Sequence, residues 1–218
     1  MKALSMQYRF MKLSWGLALA ILLTGCVTQF DGPDYTEAQV HRQVIDKDTG
    51  NAIPGVIVAF KWTENRGFSP GGSHTACAHV AMLHADDQGR YIISKWHGEY
   101  PGTFRPYKAG YSEFYDPVAR KQGIDYLKRS TGSTQERYEE LYYRYMNTFH
   151  CDEAEEKKLL ELYRALYDEA QSIAKTEEDA KVVDSLLGTV DAATYGVDEA
   201  RRRSLERAVM RAKEQQIK

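Results

Sequence analysis

Long apolar runs are what this sequence most conspicuously lacks: none of its 218 residues lies in a stretch long enough to cross a bilayer as a helix. The most apolar stretch, residues 13–23, is eleven residues long and follows Lys2, Arg9 and Lys12, the layout of an export signal. An excess of positive charge is also missing. The formal net charge is -2, and removing residues 1–25 takes away three basic side chains and no acidic ones, leaving 26 Lys and Arg against 31 Asp and Glu, a net charge of -5. That balance argues against nucleic acid as a partner. Cysteine is scarce, with three residues, so a disulfide-dense miniature scaffold is excluded. No glycine loop of the kind that cradles phosphate is present.

The apolar run ends at Leu23-Thr24-Gly25-Cys26. This ending resembles the lipobox of bacterial lipoproteins, in which a signal peptidase cuts before the cysteine and the thiol carries a diacylglyceryl group. The resemblance implies a signal peptide over residues 1–25, lipidation of Cys26, and a partner that is the lipid bilayer itself. Val27 stands where inner-membrane retention in enterobacteria would place aspartate, which points to the outer membrane. Residues 26–37 hold Gly and Pro without periodicity and read as a tether. With Cys26 acylated, Cys77 and Cys151 remain as a pair in an oxidising compartment, either bridged or as two buried thiols. A bridge would close a loop of roughly 75 residues and, in the chain-entropy model, stabilise the fold by about 4 kcal/mol.

What is present in quantity is turn punctuation between apolar runs. Asp46-Lys47-Asp48-Thr49-Gly50 follows a first strand near Val44-Ile45, and Pro54-Gly55 leads into Val56-Ile57-Val58-Ala59-Phe60-Lys61-Trp62. That run is apolar at nearly every position, the pattern of a strand covered on both faces. Residues 63–73 read as a long polar loop and residues 74–83 as a further strand. Asp86-Asp87-Gln88-Gly89 then turns the chain into Arg90-Tyr91-Ile92-Ile93, and residues 103–108 form a last strand before Gly110. The order Asp-x-x-Thr-Gly-x-x-Ile-Pro-Gly-Val, Asp-x-x-Gly-Arg-Tyr-x-Ile, Lys-Ala-Gly-Tyr resembles the carboxypeptidase regulatory-like domain. That family implies an antiparallel, transthyretin-like Greek-key β-sandwich over residues 38–117, acting as a non-catalytic accessory module. Zinc peptidase chemistry belongs to a separate catalytic domain for which this chain has no room.

Residues 118–218 read as a helical domain of three to four helices, so the fold class expected is α+β. Ser133 and Glu136 have capping-box spacing, followed by Tyr138, Leu141, Tyr142, Tyr145, Met146 and Phe149 on one face. Asp152 caps the next pattern, which carries Leu159, Leu162, Tyr163, Leu166, Ala170 and Ile173. Thr176 with Asp179 opens a third, and Asp198 a fourth carrying Leu205, Ala208, Val209 and Ala212.

Candidates for chemistry are few. His74, Cys77, His79 and His84 are the one cluster with ligand types for zinc or copper, although strand alternation puts Cys77 and His79 on the face opposite His74 and His84. Asp86 and Asp87 read as a turn in preference to a calcium site, and Tyr138, Tyr142, Tyr143 and Tyr145 as core packing in preference to an aromatic binding surface. The expectation is a non-enzymatic envelope lipoprotein acting as a binding or structural module, with loops 63–73 and 98–102 as its variable surface. The alternatives are a metal-binding lipoprotein and an assembly factor that docks on another envelope protein through its helices.

Overall fold

Seven strands and a series of helices account for the described part of the chain, residues 39–69, 72–94, 100–146, 149 and 151–216 of a computed structural model. All of these residues belong to the unit Pro33–Lys218; the unit Met1–Gly32, with the lipidation candidate Cys26, lies outside them. The strands are β1 (Val40–Asp46), β2 (Ile57–Ser69), β3 (Gly72–His84), β4 (Arg90–Ile93), β5 (Tyr100–Tyr107), β6 (Tyr111–Phe114) and β7 (Ile124–Arg129), with the short helix α1 (Pro117–Lys121) between the last two. They form two sheets, β4-β1-β7-β6 and β3-β2-β5. Pairing is antiparallel throughout except between β1 and β7, which run parallel.

The helical part begins with α2 (Thr134–Glu140), opened by the Ser133–Glu136 capping box and continued by π-helical Leu141–Met146. Asp152 caps α3 (Glu153–Glu156), and a tight turn at Lys157–Leu159 leads into α4 (Leu160–Ile173). Thr176 and Asp179 form a second capping box at the start of α5 (Glu177–Tyr195), and α6 (Val197–Gln216) follows.

These elements stack in three layers, and the sequence of β2 shows why. Val58, Phe60 and Trp62 point to the first sheet and share a core with Val44, Tyr91, Ile93, Phe104 and Leu127. Ile57 and Ala59 point the other way, into a core that joins Val80 and Tyr107 to Tyr138, Leu141, Tyr145, Phe149, Leu159, Leu162 and Leu166 of the helices. The middle sheet therefore has no solvent face, and a strand inside it has no polar positions to alternate with.

Three expectations about the strands need correction. Residues 63–69, 72 and 73, expected within a polar loop, continue the β2–β3 ladder as a long hairpin with the strand expected from residue 74, Thr63 standing opposite Cys77 and Ser69 opposite Gly72. Beyond Trp62 the ladder continues through main-chain pairing, and Thr63-Glu64-Asn65-Arg66 carries no apolar alternation to announce it. Likewise β5 begins at Tyr100, inside the second expected loop, whose residues 98 and 99 lie outside the described residues. The β part also does not stop at residue 117: β7 sits between β1 and β6 in the first sheet. Its inward positions are Asp125 and Leu127, and an aspartate at a core position hides the alternation.

Glycine is required at two of the turns. At Gly89 (φ +68) a Cβ would fall 2.6 Å from the Val44 carbonyl oxygen, and at Gly123 (φ +81) 2.8 Å from that of His41. These close approaches lay the 86–89 turn and the entry to β7 against β1. Of the tyrosines, Tyr138 and Tyr145 are fully buried, whereas Tyr143 is exposed.

Candidate functional site

Edge strand β6 and helix α2 meet across a cleft of about 250 Å3. The cleft is lined by Ser112 and Glu113 of β6, Lys128 to Gly132 at the exit from β7, and Glu136, Arg137 and Glu140 of α2. An edge strand leaves main-chain groups without a ladder partner. Here Glu140 Oε1 accepts the Glu113 amide at 3.3 Å, and its Oε2 accepts the Ser112 hydroxyl at 2.6 Å and Arg137 Nη1 at 2.7 Å.

Behind the cleft, Arg137 reaches inward to Glu169 of α4 through Nε and Nη2, both at 2.8 Å. Glu169 also accepts the Tyr107 hydroxyl at 2.8 Å and the Gly110 amide at 2.9 Å. Four donors thus satisfy a buried carboxylate, as burial of charge demands. Burial opposes the charge on Arg137, but the bonds to Glu169 and Glu140 outweigh it and hold its pKa above the ordinary arginine value. Burial, reinforced by Glu169, pushes the Tyr107 hydroxyl well up, so it stays a proton donor to that carboxylate. On the other side of Glu113, three guanidiniums converge on its carboxylate: Arg105 at 2.6 Å, Arg120 at 3.5 Å and Arg144 at 3.8 Å.

A second buried cluster lies between the two sheets. Arg42 of β1 donates from Nε (2.7 Å) and Nη2 (2.8 Å) to Asp125 of β7, and the Tyr91 hydroxyl of β4 donates to the same carboxylate at 2.6 Å. The Arg42 guanidinium stacks over Phe104, 4.6 Å from the ring centre.

The histidine and cysteine segment does not gather into a site. Cys77 is bonded to Cys151, joining β3 to the residue before the cap of α3, so its sulfur is not a thiolate ligand in this structure. His79 lies against Trp62, and its Nδ1 is 3.0 Å from Glu155 of α3, which also accepts the Val80 amide. His84, five residues along β3, pairs with Glu161 of α4 at 2.7 Å. The backbone of His74 lies in β3, and its side chain is outside the described residues. Among the described residues no three His, Cys, Asp or Glu side chains converge to hold a metal ion. Asp86 uses its carboxylate within its own turn, accepting the Gln88 and Arg90 amides.

Two further spacings deserve a structural answer. Gly67-Phe68-Ser69-Pro70-Gly71 has the Gly-x-Ser-x-Gly order, but its serine is the last residue of β2 and pairs with Gly72 of β3, so it is not at the strand-to-helix elbow that makes such a serine a nucleophile. His150 and Glu153 have His-x-x-Glu spacing; Glu153 is exposed and paired with Lys157, Cys151 between them is in the disulfide, and His150 lies outside the described residues. No sequence motif marks the residues of the cleft, because they come from β6, the β7 exit and α2, with Glu169 of α4 behind them. The paired spacing Arg137–Glu140 on a capped helix was the one local trace of them.

No family model matches the chain, and no curated protein or solved structure matches it either.

Proposed function

We propose that the protein is a non-catalytic bacterial envelope lipoprotein whose sandwich, Greek-key and transthyretin-like, is the scaffold of a binding module. The observation that carries this reading is the cleft between β6 and α2. Its charges are already paired by donors from three layers, so it offers a fixed array of polar groups without an activated one. Ser112 faces a carboxylate, but Glu140 is held by Arg137 and a main-chain amide, so it is not a free base for that hydroxyl. Such an array suits recognition of a small polar ligand with both donors and acceptors. Support for the address comes from the leader and Cys26, and from a disulfide, which is at home outside the cytoplasm. Support for the Greek key comes from β4, which returns beside β1 after the β2–β3 hairpin has crossed to the other sheet.

Two measurements test the proposal. Mass spectrometry of the protein from the envelope fraction should show an acylated N-terminus at Cys26; a mature chain without acyl groups overturns the anchor. A photo-crosslinking residue at Thr131 in intact cells should give a defined adduct that the same residue at exposed Tyr143 does not. Identical adducts at the two positions, or none at Thr131, would remove the cleft as a binding site.

A further inference from the structure

Helix α6 is docked with its cationic side inward and its apolar side outward. Arg207 Nη1 donates to Asp191 of α5 at 2.6 Å, Arg211 pairs with Asp184 of α5, and Arg203 stacks on Tyr195. Ala200 is the one apolar side chain of α6 that is buried among the described residues. On the opposite side Leu205, Ala208, Val209 and Ala212 follow one another at i, i+3, i+4 and i+7, and all four are exposed, Leu205 by 63 % and Val209 by 53 %. A single exposed leucine is ordinary, but a stripe at helical spacing is the mark of a surface that meets an apolar phase.

Charge indicates which phase. Between Val197 and Lys213 there are six basic residues against three acidic ones. Arg202 is tied to Glu199 and Glu206. Arg201 and Lys213, which flank the stripe, have no ion pair among the described residues. Pairing in parallel with a second copy would set Arg201 and Lys213 against their own images. Moreover, four residues, two of them alanine, fall well short of the roughly 800 Å2 per partner that a stable protein interface takes. We infer that the outer face of α6 lies on an anionic phospholipid surface, with the stripe at the headgroup boundary and Arg201 and Lys213 among the phosphates. The inference rests on the envelope lipoprotein reading for its location: an acyl chain at Cys26 and a twelve-residue tether, reaching at most about 40 Å, keep the domain close to the bilayer. A weakly amphipathic helix then suffices, because tethering supplies the effective concentration.

Hydrogen exchange of the full chain, purified from the envelope and added to vesicles of phosphatidylcholine alone or with phosphatidylglycerol, tests this. Amides 201–213 should exchange at least fivefold more slowly in the anionic vesicles only, with the difference lost in high salt. It should also be lost in Leu205→Glu/Val209→Glu and in Arg201→Glu/Lys213→Glu, all four positions being exposed, with the melting temperature unchanged. Equal exchange in both vesicles overturns the inference, as does slowing that tracks protein concentration in neutral lipid, which would mean self-association. Intact mass reports the acyl group independently. An acylated chain without lipid-dependent protection sinks the inference alone, and protection in a chain without acyl groups sinks the anchor alone.

Discussion

The two buried arginine–carboxylate clusters use the same chemistry to different ends. Arg42, Asp125 and Tyr91 all belong to one sheet, on strands that already pair with one another, so their bonds reinforce a ladder that exists without them. Glu169 instead collects Tyr107 from β5, Gly110 from the turn after it, and Arg137 from α2. None of these would be neighbours if the helices were not docked on the sheet. The first cluster secures strand register, and the second decides how the helical layer sits, which in turn shapes the cleft.

Removing one partner from each cluster sharpens this distinction. Glu169→Ala leaves Arg137 as a buried, half-paired charge and should cost about 3–5 kcal/mol in chemical denaturation. Hydrogen exchange should show α2 and α4 losing protection while β1 and β7 keep theirs. Asp125→Ala should cost a similar amount with the pattern reversed, and equal loss in both regions would erase the distinction. A smaller effect is expected from Cys151→Ser, about 2–4 kcal/mol, because the disulfide is a second tie between the middle sheet and the helices. Combined with Glu169→Ala its cost should not be additive, since both act on one interface; strict additivity would separate them.

The smallest effect is one of pH. Burial raises the pKa of Glu155, but Lys158, the Val80 amide and His79 outweigh it, so the group lies below its ordinary value of 4.5. Folding therefore favours the ionised form. That contribution is complete above pH 4.5 and is lost as pH falls through the folded value. The melting temperature should drop on acidification below pH 4.5, and less steeply in Glu155→Gln. An identical slope in the variant would show that this link between α3 and β3 contributes nothing.

Much of the architecture was legible where structure is written locally. The turn at Asp46 to Gly50, the 86–89 turn and the caps at Ser133, Asp152 and Thr176 each satisfy main-chain groups within a few residues, so their spacing announces them. The run from Val56 to Trp62 announced its two covered faces in the same way. The rest failed for definite reasons. The outer half of the β2–β3 hairpin is held by main-chain pairing, which no apolar pattern announces, and β7 was hidden by Asp125. The helical spacing of the α6 stripe does not say which way it faces; the structure turns it outward because Asp184 and Asp191 draw the arginines in. Nor was the cleft legible, since Ser112, the Arg137–Glu140 pair and Glu169 are far apart in sequence and meet across layers.

The sequence by itself determined the turns, the helix starts and the pairing partners open to two spare cysteines, because each depends on short-range hydrogen bonding or on a residue count. Tertiary structure alone decided that β7 completes the first sheet, that the helices cover the second, and which face of α6 is inward. These outcomes depend on which buried charge finds its opposite, and a carboxylate such as Glu169 or Asp125 acquires its partners only once the layers have met.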